Sequence, residues 1–73
     1  MPKLGVFSGA EVCRILELEG FRMVRQRGSH IVMQREVAGI TATVPIPNHR
    51  TVRTGTLLSI IRQSGVPREK FVR

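Results

Sequence analysis

A histidine follows a glycine and a serine in the middle of the chain, at the start of an apolar stretch. The segment Gly28-Ser29-His30 comes after a basic run and before Ile31 and Val32. The pKa of an imidazole lies near physiological pH, so it can accept or release a proton during a reaction. The same ring can instead hold a phosphate without any chemistry. The residue types alone leave both roles of His30 open.

The sequence has few residues that could form another kind of catalytic site. The chain has two histidines, one cysteine and no aspartate, and these lack the spacing of a metal site. A Ser-His-Asp triad needs the missing aspartate, and no glycine-rich nucleotide loop occurs. We therefore expect no metal and no small-molecule cofactor. Acid–base chemistry by histidine is the reaction type that remains.

Positive charge is the strongest compositional signal. Lysine and arginine total 12 against 5 acidic residues, a formal net charge of +7, and most of these cations are arginines. Guanidinium groups bind phosphate in a planar, bidentate manner, so nucleic acid is the expected partner. A basic surface that serves only solubility is the alternative. The candidate RNA contacts are Arg25, Arg27, Ser29, Arg35, His49, Arg50 and Arg53.

RNA suits histidine chemistry that needs no metal. Its 2′-hydroxyl is a built-in nucleophile, and an imidazole such as His30 can accept the proton of that hydroxyl. Arginines can stabilise the charge that develops at phosphorus. The expected products are a 2′,3′-cyclic phosphate and a 5′-hydroxyl. His49, in a proline-stiffened loop beside Arg50, is either a second acid–base group or a simple RNA contact.

Two helices carry recognisable start and stop signals. Ser8 and Glu11 form a capping box for the first helix, over residues 8–19. Thr54 is the predicted N-cap of the second helix, which Gly65 closes. Apolar residues recur at helical spacing in both, so each helix is expected to bury one face against a sheet.

Three short strands separate the helices. They are predicted at residues 21–27, 30–35 and 40–45, with turns at residues 28–29 and 36–39. Gly28 supplies the positive φ that the first position of a type II′ turn needs, so His30 begins the second strand beside the turn. The imperfect alternation of the first strand indicates a bulge or a partly covered sheet. Two prolines end the third strand, and residues 45–50 form a loop.

This order of elements predicts an α+β fold. A three-stranded antiparallel sheet would bury one face under two helices and leave the other open. The α-β-β-β-α order is that of the double-stranded-RNA-binding domain, which reads duplex shape, phosphates and 2′-hydroxyls. We expect one domain over residues 1–73, with a small core and therefore a shallow surface site.

The cellular compartment follows from what the sequence lacks. Cys13 is the single cysteine, so the fold does not depend on an intramolecular disulfide, which favours a reducing compartment. The amino end has no apolar signal-peptide core, and no stretch approaches the roughly 18 apolar residues of a membrane span. We expect a cytoplasmic protein without membrane contact.

Most of the chain, from Ser8 to Gly65, resembles the HicA toxins, also called YcfA-like proteins. The resemblance rests on Ser8-Gly9, Gly20-Phe21, Arg25-Gln26-Arg27-Gly28-Ser29-His30, Val44-Pro45, Asn48-His49 and Thr54-Gly55-Thr56-Leu57. It implies a double-stranded-RNA-binding-like fold and an mRNA interferase, held inactive by a HicB antitoxin. It also implies that His30 is the catalytic residue and that cleavage needs no metal. Many members carry a second histidine directly after it, where this chain has Ile31.

Two main functions follow. In the first, the chain is the toxin of a type II toxin–antitoxin system and cleaves single-stranded mRNA on its basic open face. His30 then serves as general base or general acid. In the second, the chain is a non-catalytic RNA-binding module in which His30 only contacts the backbone. A subunit that binds only an acidic protein partner is a weaker third possibility.

Overall fold

The computed structural model describes residues 3–72 and confirms the predicted order of elements. The helices are α1 (Gly9–Leu18) and α2 (Thr54–Ser64), the strands are β1 (Arg22–Arg27), β2 (His30–Val37) and β3 (Ile40–Pro47), and a 3-10 helix, Arg68–Phe71, follows. The strands form one antiparallel sheet in the order β1-β2-β3, so the fold is α+β. No helix within residues 3–72 is long and apolar enough to cross a membrane.

One hydrophobic core fills the space between the helices and one face of the sheet. Its buried residues are Phe7, Val12, Leu16, Phe21, Ile31, Met33, Val44, Ile46, Val52, Leu57, Ile60, Val66 and Phe71. Ile31 and Met33 face this core from β2, as their alternation predicts. The Phe7 and Phe71 rings meet edge to face with their centroids 6.2 Å apart, so the carboxyl-terminal turn folds back onto the core.

The helix ends follow the predicted signals with one exception. Ser8 and Glu11 form the predicted capping box of α1, and Gly65 ends α2 with a φ of +72°. The prediction of Thr54 as the N-cap of α2 was wrong, because the helix begins one residue earlier than predicted. Arg53 has extended backbone angles and is the N-cap, without a side-chain hydrogen bond, and Thr54 is the first helical residue.

The two hairpin turns each comprise two residues, and the second is shorter than predicted. Gly28 has a φ of +56° whereas Ser29 is not left-handed, which is the pattern of the predicted type II′ turn. The second turn comprises only Ala38 and Gly39, with φ values of 53° and 80°. Both values are positive, as in a type I′ turn, so β2 and β3 pair closer to the tip than the predicted four-residue turn allowed.

A bulge interrupts β1 at Val24. The register passes from Met23 opposite Met33 directly to Arg25 opposite Val32, and leaves Val24 without a partner on β2. Residues on either side of a bulge change face relative to simple alternation. All of β1 is exposed, so the sheet is only partly covered here. The bulge and the partial cover together explain the imperfect alternation of β1.

The third strand continues through the segment predicted as loop. Pro45 and Pro47 belong to β3, and the buried Ile46 between them pairs with Ile31. The prediction that the prolines stop the strand was wrong because β3 is the edge of the sheet. An edge strand tolerates proline wherever the missing N–H would have pointed outward. The loop therefore starts only at Asn48.

Candidate functional site

A groove of about 500 Å³ lies between the end of β3, the loop that follows it and α2. Its polar lining comprises His30, His49, Thr51, Arg53, Thr56, Ser59 and Gln63, and its apolar floor comprises Pro45, Pro47, Val52 and Ile60. Both histidines of the chain therefore line one groove. The lining carries a guanidinium and several hydroxyl or amide groups but no carboxylate, which suits an anionic ligand.

The β1–β2 turn and the sheet fix the position of His30. It is the first residue of β2, paired with Arg27 on one side and with Pro47 on the other. The backbone N–H of Asn48 donates to the carbonyl of Ser29 at 2.6 Å, which ties the turn to the loop. The exposed His30 imidazole therefore projects from a backbone that two neighbouring strands hold in place.

The first turn of α1 holds the loop that carries His49. The backbone N–H of Gly9 donates to the carbonyl of His49 at 2.9 Å. A Cβ atom at Gly9 would collide with the carbonyl oxygen of Pro47 and lie 2.9 Å from the Cα of Asn48. Only glycine permits this close approach. The loop is thus packed against a helix, although His49 itself is exposed.

The amino end of α2 forms a third wall of the groove. Arg53 and Thr56 line it, and both are exposed. The first backbone N–H groups of a helix lack partners within it, and the helix dipole is positive there. At Gly55 the surroundings are open, since an added Cβ would meet no atom within 4 Å. This end of α2 can therefore accept an anion such as a phosphate.

The predicted catalytic and RNA-binding residues divide into three groups. His30, His49 and Arg53 share the groove. Arg25 and Arg27 belong to β1, whereas Ser29 lies in the adjoining turn and Arg50 is exposed in the loop without lining the groove. Arg35 is separate from all of these. The structure thus brings His30, His49 and Arg53 together in the groove and leaves the other candidates outside it.

Arg35 lies on the core side of β2, where it joins the two helices. Its guanidinium donates to the carbonyl of Glu19 at 2.8 Å and to the carbonyl of Ser64 at 3.0 Å. It also lies 4.7 Å from the centroid of the Phe21 ring. A positive charge at the carboxyl end of a helix is stabilised by the helix dipole. This position gives the predicted RNA contact of Arg35 no support and indicates a structural role.

Sequence reasoning missed three lining residues. Thr51 lies in the loop, and Ser59 and Gln63 lie on α2 beside Thr56. A signal for the helical positions was present, because residues 56, 59 and 63 recur at helical spacing and form one polar stripe next to the apolar one. The sequence does not show that this stripe lines a groove, because the groove forms only where β3 lies beside α2 in the folded protein.

Cys13 is not part of this groove. It is half-buried on α1, and burial, together with the nearby Glu17 carboxylate, raises the pKa of its thiol. Its thiol is therefore protonated and unreactive at neutral pH. Within residues 3–72, no three His, Cys, Asp or Glu side chains are grouped as a metal site.

Comparison with known proteins identifies one family. The model of the HicA toxin of bacterial toxin–antitoxin systems matches residues 9–66 of the 73-residue chain. No curated protein and no solved structure gives a significant match. The matched span contains both long helices, the whole sheet and both histidines of the groove. The chain therefore belongs to the HicA family, the toxins of bacterial toxin–antitoxin systems.

Proposed function

We propose that this toxin is a metal-independent endoribonuclease, an mRNA interferase, that cleaves single-stranded mRNA. The observation that carries the proposal is the position of His30 and His49 in one groove beside Arg53. Two imidazoles provide a base and an acid, and the guanidinium provides a phosphate contact. Cleavage of RNA by its own 2′-hydroxyl needs these groups and no metal.

The reaction is a transesterification in which phosphorus forms a bond to the 2′-oxygen and loses its bond to the 5′-oxygen of the next nucleotide. One histidine accepts the proton of the 2′-hydroxyl as this oxygen attacks phosphorus, and the other donates a proton to the departing 5′-oxygen. Arg53 and the free N–H groups of α2 stabilise the added negative charge. The products are a 2′,3′-cyclic phosphate and a 5′-hydroxyl.

The backbone supports this chemistry because it fixes both histidines. His30 is held by two strands, and His49 follows Asn48, whose N–H bonds to the turn at Ser29. Gly9 holds the same loop from the opposite side. Catalytic groups on a fixed backbone lose little freedom on the way to the transition state.

The partner implied by family membership is an antitoxin, and we propose that it is of the HicB type. The chain carries a formal charge of +7, which favours an acidic surface on that partner. We expect the protein to act in the cytoplasm, the compartment that an mRNA substrate implies.

Cleavage by the purified protein, freed of antitoxin and kept in a chelator, tests the proposal. General acid–base catalysis contributes about 10²- to 10⁴-fold, so His30→Ala and His49→Ala should each lose about 100-fold or more in cleavage rate. Arg14→Ala, an exposed change on α1, should cleave at the wild-type rate. Circular dichroism and thermal melting check that each variant is folded.

Four results would contradict the proposal. A His30→Ala protein that cleaves as fast as wild type removes His30 from catalysis. Cleavage of an RNA whose scissile nucleotide is 2′-deoxy excludes attack by the 2′-hydroxyl. If the wild-type protein binds RNA but never cleaves it, the chain is a non-catalytic RNA-binding module. If it has no affinity for RNA even at low salt, an acidic protein is its partner.

A further inference from the structure

Three arginines lie in one row along β1, on the same face of the sheet as His30. Arg22 pairs with Gln34, Arg25 with Val32 and Arg27 with His30. Directly opposed residues of an antiparallel pair share a face, and these β2 residues occupy the face opposite the core. Without the bulge at Val24, simple alternation would place Arg22 and Arg25 on opposite faces.

The row is available to a ligand. All three arginines are exposed, and within residues 3–72 none of them forms an ion pair or a side-chain hydrogen bond. Neighbouring members lie opposite β2 residues that are two apart, which corresponds to steps of roughly 7 Å. The row therefore spans roughly 13 Å and ends beside His30. Glu36, a carboxylate on this face, lies beyond the far end at Arg22.

The surface of α1 is less suited to a polyanion than the open face of the sheet. Glu11 and Glu17 are exposed on α1 against the single cation of Arg14, whereas the C-cap Glu19 forms an ion pair with Lys70 at 3.7 Å. This concentration of negative charge on one side repels phosphate. The charge distribution therefore favours the open face of the sheet.

The chemistry of the row identifies the part of RNA that it binds. The three phenylalanines are all buried, and the chain has no tryptophan or tyrosine, so the arginine row itself has no aromatic ring on which a base can stack, and the His30 imidazole lies only at its end. Proteins that bind single strands use positive charge to follow the backbone, and this is the part of such a site that the row supplies. We infer that single-stranded RNA runs along β1 with successive phosphates on Arg22, Arg25 and Arg27, and enters the groove at His30. The path rests on the proposed function, because it leads the substrate to that site.

Binding to His30→Ala protein tests the path without interference from cleavage. The probe is a fluorescent single-stranded RNA of 12 nucleotides in mixed sequence, titrated over a salt series. Each phosphate contact on a single strand contributes about 0.7 to the slope of log K against log salt. Replacing all three arginines of the row by alanine should therefore lower this slope by about 2.

Two matched variants separate the row from charge in general. A variant with Lys3→Ala, Arg14→Ala and Lys70→Ala loses the same three charges elsewhere and should keep the slope. Replacing the row by lysines should also keep it, because an ammonium still contacts a phosphate. An equal loss of slope in the row and control variants would overturn the path, as would duplex RNA that binds as tightly as the single strand.

Arg22 distinguishes the failure of this path from the failure of the proposed function. Arg22→Ala should raise the KM of the 12-nucleotide RNA by a larger factor than the KM of a dinucleotide, since the dinucleotide does not reach this far from His30. If wild type does not cleave RNA, the proposed function fails, while the slope on His30→Ala protein still decides the path. If the row variant keeps its RNA slope but loses antitoxin binding, the row holds the protein partner instead.

Discussion

Replacing Arg35 by alanine tests whether this arginine holds the fold together or contacts RNA. The substitution removes two hydrogen bonds, to the carbonyls of Glu19 and Ser64, and the contact with the Phe21 ring. Both carbonyls belong to the carboxyl ends of helices, where the lost charge is also favourable. No other side chain in residues 3–72 is shown to bridge α1 and α2 in this way.

The expected loss follows from these contacts. A hydrogen bond to a charged group contributes about 1.5–3 kcal/mol, and the ring contact about 0.5–1 kcal/mol. Arg35 is only partly buried, so water replaces some of each interaction, and we expect a net loss of about 2–4 kcal/mol in the free energy of unfolding. The stability of Arg35→Lys should lie between those of the wild type and Arg35→Ala, because an ammonium cannot donate to both carbonyls in the same forked geometry.

Urea unfolding followed by circular dichroism measures this loss. Arg27→Ala is the matched control, because Arg27 is exposed and bonds to no other side chain, and it should change stability by less than about 0.5 kcal/mol. At a temperature well below melting, Arg35→Ala should cleave RNA at the wild-type rate. A stability loss no larger than that of Arg27→Ala would refute the structural role. A loss of RNA affinity in the folded Arg35→Ala protein would restore the contact with RNA.

Three further predictions test the packing and chemistry elsewhere. Gly9→Ala should cost about 1–3 kcal/mol in urea unfolding, because its Cβ meets backbone atoms, whereas Gly55→Ala in open surroundings should gain about 0.5–1 kcal/mol; equal effects would contradict the close approach. Ala38→Asn should stabilise by about 1 kcal/mol, measured as a higher midpoint, since asparagine tolerates the positive φ better than alanine; no gain would argue against a type I′ turn. Cys13 should react with a thiol reagent only above the usual thiol pH range, and Glu17→Gln should shift that profile to lower pH; an unshifted wild-type profile would contradict the raised pKa.

Local signals were sufficient for much of the fold. The capping box of Ser8 and Glu11 and the positive φ of Gly28 involve residues close together in the chain, so the sequence displays both directly. The alternation of Ile31 and Met33 likewise predicts the buried face of β2. From the same stretch, the sequence predicts that His30 begins β2 at the turn. The resemblance to HicA toxins adds the catalytic expectation, which the structure leaves as a proposal.

By itself, the sequence determined the order of elements, the basic charge and the place of His30 beside a turn. Only the tertiary structure decided which residues meet. Pairing with β2 places the bulge at Val24 and aligns the arginines of β1, and α2 brings Arg53 to the two histidines. The sequence predicts Arg35 as an RNA contact, whereas in the structure it donates to carbonyls at the ends of both helices. The reason is physical: caps and turns are satisfied within a few residues, whereas a side chain's face and partners depend on segments distant in sequence.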